Sequence, residues 1–216
     1  MTNITDFSFN IDEIDRQLDW GIPLPCVVTL SHEPLIPYEL ILEQFISTNN
    51  PVVYFTTQKN KQTVQKMFKQ SEQIDTSINT KIIEIPRDSP INHLEKALEQ
   101  LSVNNILIVI DSVNILERQP SSKYKSTLRD LHHFANKTDS CVLLIGSNRG
   151  NIITENREMT ISQSDTFFYV YEEVQGGSDV ETFLLVKKNR YGKPISIPFK
   201  IELSETIEID TSRTIS

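Results

Sequence analysis

Two cysteines, one tryptophan and six glycines are all that this 216-residue chain contains of those types, and each scarcity excludes something. Cys26 and Cys141 lack C-x-x-C spacing, so the chain encodes neither a cysteine-built zinc site nor a disulfide framework. Each opens an expected strand, and both are read as buried, reduced thiols. Six glycines are few for a nucleotide-binding enzyme of this length, because bare backbone is what lets amides close on phosphates. No stretch approaches the ~18 apolar residues of a membrane-spanning helix, so no membrane partner is expected. The N-terminal segment carries Asp6, Asp12, Glu13 and Asp15 and is no secretory signal. Positive charge is also short: 21 Lys and Arg stand against 29 Asp and Glu, a net charge of −8. That balance argues against a surface devoted to nucleic acid and suits a cytoplasmic protein.

The histidines offer no metal site. His132 and His133 are adjacent on an expected helix and point about 100° apart; His32 falls in a loop and His93 in another helix. No G-x-S-x-G, kinase signature or Cys–His pairing is present. Neither a metal nor a cofactor is expected.

What is there is an alternation of strands and helices. Residues 7–20 read as a short helical lead-in. Strand Cys26–Leu30 follows, then a tight loop and a helix to about residue 48 whose stripe is Leu40, Ile41, Phe45 and Ile46. Pro51–Thr57 is a dense β run. Val64, Met67 and Phe68 mark a helix, Lys81–Ile85 a short strand, and Ser89-Pro90 the cap and first turn of a helix bearing Ile91, Leu94, Leu98 and Leu101. Ile106–Ile110 is continuously apolar, as in a parallel strand buried on both faces. A helix over Tyr124–Asn136 and a buried strand over Val142–Ile145 complete the alternation. The period then changes: Thr166–Tyr171 and Glu181–Val186 read as an antiparallel hairpin joined near Gly176-Gly177, followed by strands Phe199–Leu203 and Ile207–Ile209. The fold class is α/β: one domain over 1–216, a doubly wound, mostly parallel sheet with its core in 21–150 and an antiparallel β-rich extension over 165–210.

The loop after the first core strand is the informative segment. A phosphate-binding loop there would read G-x-x-x-x-G-K-[ST]. The frame instead reads His32-x-x-x-x-Pro37-Tyr38-Glu39. Both glycines, the lysine and the hydroxyl are missing. Pro37 has no N–H to donate, although it suits a helix's first turn. Tyr38 brings no charge at neutral pH, and Glu33 and Glu39 bring negative charge towards an anionic ligand.

The order of segments resembles the RecA-like ATPases, most nearly their KaiC/RadA-like archaeal branch, from about Phe9 to Ile215. The resemblance is carried by Trp20-Gly21-Ile22-Pro23-Leu24-Pro25 before the first core strand, Ile41-Leu42-Glu43-Gln44-Phe45 in the helix after the loop, Tyr54-Phe55-Thr56-Thr57-Gln58-Lys59, the strand Ile106-Leu107-Ile108-Val109-Ile110-Asp111-Ser112, Lys188-Asn189-Arg190, and Pro198-Phe199-Lys200-Ile201. It implies a RecA-like fold with a degenerate Walker A loop. In the family, the residue at Asp111 orients magnesium and an acidic pair at Gln58 and Lys59 activates water; here Gln58 can at best orient water and Lys59 is no useful base. Asp111 and Ser112 remain as a residual Walker B pair, Asp111 being equally readable as the end of a buried strand. Lys188 and Arg190 stand where the family places a finger reaching a neighbouring subunit. With Tyr191 they form either that finger, a contact for single-stranded nucleic acid, or a solvated hairpin end. The expectation is a catalytically inactive, non-enzymatic pseudo-ATPase that regulates or scaffolds by contact with a protein: its own kind, an active RecA-like paralogue, or a signalling or transcriptional protein. Two alternatives accompany it: a recombination accessory binding single-stranded DNA or a recombinase, and a nucleotide binder that does not hydrolyse.

Overall fold

A computed structural model describes residues 6–8, 11–18, 21–48, 51–70, 80–148, 154–175, 179–192, 198–203 and 207–209. Most strands and helices form where the sequence period puts them. In chain order they are β1 (Asp6–Phe7), α1 (Asp12–Gln17), β2 (Ile22–Pro23), β3 (Cys26–His32), α2 (Tyr38–Thr48), β4 (Val52–Thr56), α3 (Lys61–Gln70), β5 (Thr80–Glu84) and α4 (Pro90–Glu99). Then come β6 (Leu107–Asp111), α5 (Asn114–Glu117), α6 (Ser121–Thr138), β7 (Cys141–Ser147), α7 (Glu155–Gln163), β8 (Thr166–Gln175), β9 (Asp179–Asn189), β10 (Phe199–Leu203) and β11 (Ile207–Ile209).

Nine strands form one sheet in the order β11-β10-β9-β8-β3-β7-β6-β4-β5. Its neighbours are parallel from β8 to β5 and antiparallel from β8 outward to β11. This is an α/β fold with an antiparallel extension at the C-terminal end. The central strands β3, β4 and β6 are buried at every position, because helices cover both faces. Ile41, Phe45 and Ile46 of α2 and Val64 and Phe68 of α3 pack on one face. Ile91 and Leu94 of α4 and Leu128 and Leu131 of α6 pack on the other. Each such side chain contributes roughly 1.5–3 kcal/mol by leaving water. Cys26 and Cys141 sit in register at the first positions of β3 and β7, both buried; burial pushes the Cys141 thiol up, so it stays protonated.

The lead-in differs from the expected helix. Among its described residues only α1 is helical; β1 pairs antiparallel with β2, and Phe7 stacks on Phe45 at 4.8 Å. An apolar anchor one residue into the segment outweighs helical propensity. Gly21 permits the close return: its φ is +148°, and a Cβ there would stand 2.9 Å from Asp6 Cβ.

Two short helices were not legible in the sequence. α5 is a single turn, and α7 lacks an apolar stripe. Its start is fixed by Thr154, whose side chain accepts from Arg157 N at 3.2 Å. Ser89, expected to cap α4, makes no such bond; its hydroxyl meets His93 Nδ1 at 2.9 Å instead. The expected glycine turn at 176–177 lies outside the described residues.

Candidate functional site

The chain leaves β3 and β4 towards the face covered by α2 and α3, and leaves β6 towards the face covered by α6. Since β7 and β6 lie between β3 and β4, the oppositely directed loops open a crevice at the strands' C-terminal ends, where ligands of open α/β sheets bind.

The crevice holds a cluster of the chain's own side chains. Asp111 closes β6 and is buried. Tyr38, the first residue of α2, places its hydroxyl 3.0 and 2.9 Å from the two carboxylate oxygens of Asp111. Tyr54, rising from β4, donates its hydroxyl to Asp111 Oδ2. Lys59 Nζ stands 3.0 Å from the same oxygen, 3.4 Å from Glu39 Oε1, and also bonds the Tyr38 hydroxyl. The turn after β4 aims Lys59: Thr56 Oγ1 donates to Lys59 O at 2.6 Å and accepts from Lys59 N at 3.1 Å. His32 stacks on the Tyr38 ring at 4.1 Å, completing the cluster.

Burial pushes the Tyr38 hydroxyl far up, and the negative charge of Asp111 pushes it further. Tyr54 is raised well above its ordinary value for the same two reasons, in the same order. Both remain neutral donors at physiological pH. Burial lowers the His32 imidazole, which favours its uncharged form.

Three amides of the loop and the start of α2 turn onto the loop's own carbonyls. Ile36 N donates to Glu33 O at 3.4 Å, Tyr38 N to Ile36 O at 2.8 Å and Leu40 N to Pro37 O at 3.3 Å. Glu33 points away, accepting from the Tyr169 hydroxyl at 3.0 Å and from Glu172 N at 3.1 Å. At the loop's tip Leu35 has φ +76° and is 97% exposed. Ser112, rather than Asp111, serves the next turn: its hydroxyl donates to Asn114 Oδ1 at 2.7 Å.

Gln58 diverges from Lys59 and lines a separate polar cleft of ≈ 240 Å³, with Asn114, Glu117, Arg118, Ser147 and Arg157. Gln58 apart, sequence reasoning missed this second group, because its residues belong to α5, α7 and strand ends that carry no motif. Buried Arg157 donates to Glu117 Oε1 at 3.0 Å and to Ser31 Oγ at 2.5 Å. Thr160 Oγ1 donates to Glu117 Oε1 at 2.7 Å, and Tyr124 reaches Thr160 at 2.6 Å.

Lys188, Arg190 and Tyr191 lie at the opposite end of the sheet from Asp111. Lys188 Nζ donates to the carbonyls of Ser162 at 2.6 Å and Ser164 at 2.5 Å, at the C-terminus of α7. Arg190 pairs with buried Asp165 at 2.5 Å, which also accepts from Val27 N at 2.8 Å. Tyr191 is partly exposed, with its hydroxyl 3.4 Å from Pro25 O. Among the described residues no group of three metal-ligating side chains converges, and no helix is long and apolar enough to cross a membrane.

Sheet order, crevice and antiparallel extension define a RecA/KaiC-like α/β fold. Among solved structures, the chain is similar to the KaiC-like protein PH0186 from the hyperthermophilic archaeon Pyrococcus horikoshii OT3: TM-score 0.74 over 95% of this chain and 98% of that one, at 13% identity. At that identity the likeness is one of fold. The chain belongs to the family described as a family of unknown function (DUF7125), whose profile matches residues 7–216. No curated protein matches it in sequence.

Proposed function

We propose that this chain is a catalytically inactive pseudo-ATPase, with a degenerate Walker A loop, that acts in the cytoplasm as a regulatory or scaffolding protein through protein contact. One observation carries the reading: Lys59, Tyr38 and Tyr54 saturate the Asp111 carboxylate. Magnesium bound for phosphoryl transfer needs that carboxylate and the phosphates together. Here an ammonium group of the chain itself supplies the cation. Of the amides around the loop, those of Ile36 and Tyr38 are spent on the loop's own carbonyls and that of Glu33 on Val170 O, while Pro34 and Pro37 have none to give. The Asp111 cluster is thus satisfied by the chain's own side chains. An almost fully exposed leucine, held at left-handed φ between Pro34 and Ile36, supports a role for the loop in contact with a protein.

The recombination-accessory reading has less support, since Lys188 and Arg190 are engaged by the chain's own carbonyls and carboxylate.

Calorimetric titration with magnesium-ATP and with ADP tests the proposal. The expected result is no saturable heat up to about millimolar ligand, roughly 4 kcal/mol of affinity at most. Micromolar binding that disappears in Asp111→Ala would overturn it.

A further inference from the structure

Beside the closed cluster, the cleft lined by Gln58, Asn114, Arg118, Ser147 and Arg157 remains open, and its chemistry is of a different kind. Every described side chain lining it is polar or charged. Its volume of ≈ 240 Å³ exceeds the ~30 Å³ share of one water several-fold, yet falls below the ~300 Å³ at which drug-sized pockets begin.

The floor is built rigidly. Arg157 is buried and held by Glu117 and Ser31. Gly146 admits it: a Cβ at that position would stand 2.7 Å from Arg157 Nη1. The Glu117 carboxylate is consumed inward, by Arg157 and Thr160 on Oε1 and by Asn114 Nδ2 at 3.1 Å on Oε2. Its charge is therefore matched by Arg157. Asn114 is likewise spent, bridging Ser147 N at 2.8 Å and Ser147 O at 3.1 Å. Glu155, nearby at the start of α7, accepts from Ser121 at 3.0 Å and does not line the cleft.

What remains unmatched is Arg118. It is exposed at the mouth and has no hydrogen-bond or ion-pair partner among the described residues. The Gln58 amide and the Ser147 hydroxyl also offer unused donors there. In a chain of net charge −8, the described residues lining the cleft, Glu117 against Arg118 and Arg157, leave a local surplus of one positive charge. We propose that it binds a small hydrophilic anion, phosphate or carboxylate in class, with Arg118 as the charge contact and Gln58 and Ser147 as hydrogen-bond donors. A guanidinium presents a planar fork that matches both oxyanions. The proposal is independent of the closed crevice: no residue of the Asp111 cluster contributes to it.

The test is titration of the full chain with inorganic phosphate and, separately, with malonate. It is followed by calorimetry at constant ionic strength, for wild type, Arg118→Ala and Arg129→Ala. Arg129 is an exposed arginine on α6 that does not line the cleft, and controls for loss of one charge. Saturable binding of either anion tighter than about 10 mM, at least tenfold weaker in Arg118→Ala and unchanged in Arg129→Ala, supports the site. Which anion binds more tightly distinguishes phosphate from carboxylate as its class. No saturable binding of either anion, or equal weakening in both variants, overturns it.

Discussion

Lys59 Nζ lies 3.0 Å from Asp111 Oδ2, with Glu39 Oε1 3.4 Å away on its other side. The ammonium thus bridges a strand end and a helix start. Lys59 is 24% exposed at its side chain and Asp111 4%, so the pair is largely desolvated and removing one partner strands the other. Lys59→Met is expected to destabilise the protein by about 2–3 kcal/mol, at or below the ~3–5 kcal/mol of a broken, fully buried pair, because Lys59 is partly exposed and Asp111 keeps its two tyrosine donors. Adding Asp111→Asn removes the orphaned charge and should recover more than half of that loss. Urea unfolding of both single variants and the double variant measures the coupling. A double variant as unstable as the sum of the singles would refute it.

The tyrosines give the cluster an alkaline limit. Tyr38 and Tyr54 are both raised above the ordinary value, first by burial and then by Asp111. Their stabilising contribution is complete below pH ~10, where the unfolded phenols titrate, and is lost as pH rises towards the folded values. Tyr54→Phe removes one such group, so its stability should fall less steeply than wild type above pH 10. Thermal unfolding between pH 8 and 11 follows the difference in slope.

His32 sets the acid side. Its folded value is lowered by burial, so below about pH 6.5 the unfolded chain takes up the proton more readily and stability declines as pH falls towards the folded value. His32→Phe retains an aromatic ring against Tyr38 and removes the proton site. The expected outcome is a flatter stability profile between pH 6.5 and 5, read by unfolding midpoints at matched ionic strength.

The sheet was largely legible in the sequence because its strands are continuous apolar runs, as at Ile106–Ile110, and its helices carry strong stripes, as at Ile91, Leu94 and Leu98. The site was legible only as a set of absences. Replacement of the loop's glycines and lysine pointed to Pro37, Tyr38 and Glu39, and the strand motif pointed to Asp111. That Lys59 and Tyr54 would turn onto Asp111 depends on β4 lying beside β6 in the sheet, a pairing between distant segments that local periodicity does not carry. The cleft was invisible for a related reason. Arg157 sits on a nine-residue helix without an apolar stripe, and Glu117 on a single turn; only tertiary structure unites them.

Gly146 tests that union. A methyl group there would meet Arg157 Nη1 at 2.7 Å and Val113 Cγ1 at 3.0 Å. An exposed arginine would swing aside, but this one is held by Glu117 and Ser31 inside the protein. Gly146→Ala is expected to destabilise by about 1–3 kcal/mol, as overpacking does. Arg157→Met relieves the contact at the expense of leaving Glu117 without its cation. Gly146→Ala should therefore cost less in an Arg157→Met background than in wild type, a non-additivity that denaturant unfolding resolves.

Leu35 separates what the fold requires from what lies outside it. At 97% exposure its side chain contributes no packing, and a φ of +76° is unfavourable for a residue with a Cβ. Leu35→Gly relieves roughly 1–2 kcal/mol of backbone strain and gives back about 0.5–1 kcal/mol in unfolded-state entropy. Stability should be unchanged or slightly higher. If the loop contacts a protein, the same variant weakens that contact without weakening the fold. Self-association followed by light scattering, for wild type and Leu35→Gly alongside their unfolding midpoints, reads both quantities for the case in which the partner is a second copy. A large loss of stability in Leu35→Gly would show that the leucine serves the fold itself and would remove the support it lends to a contact role.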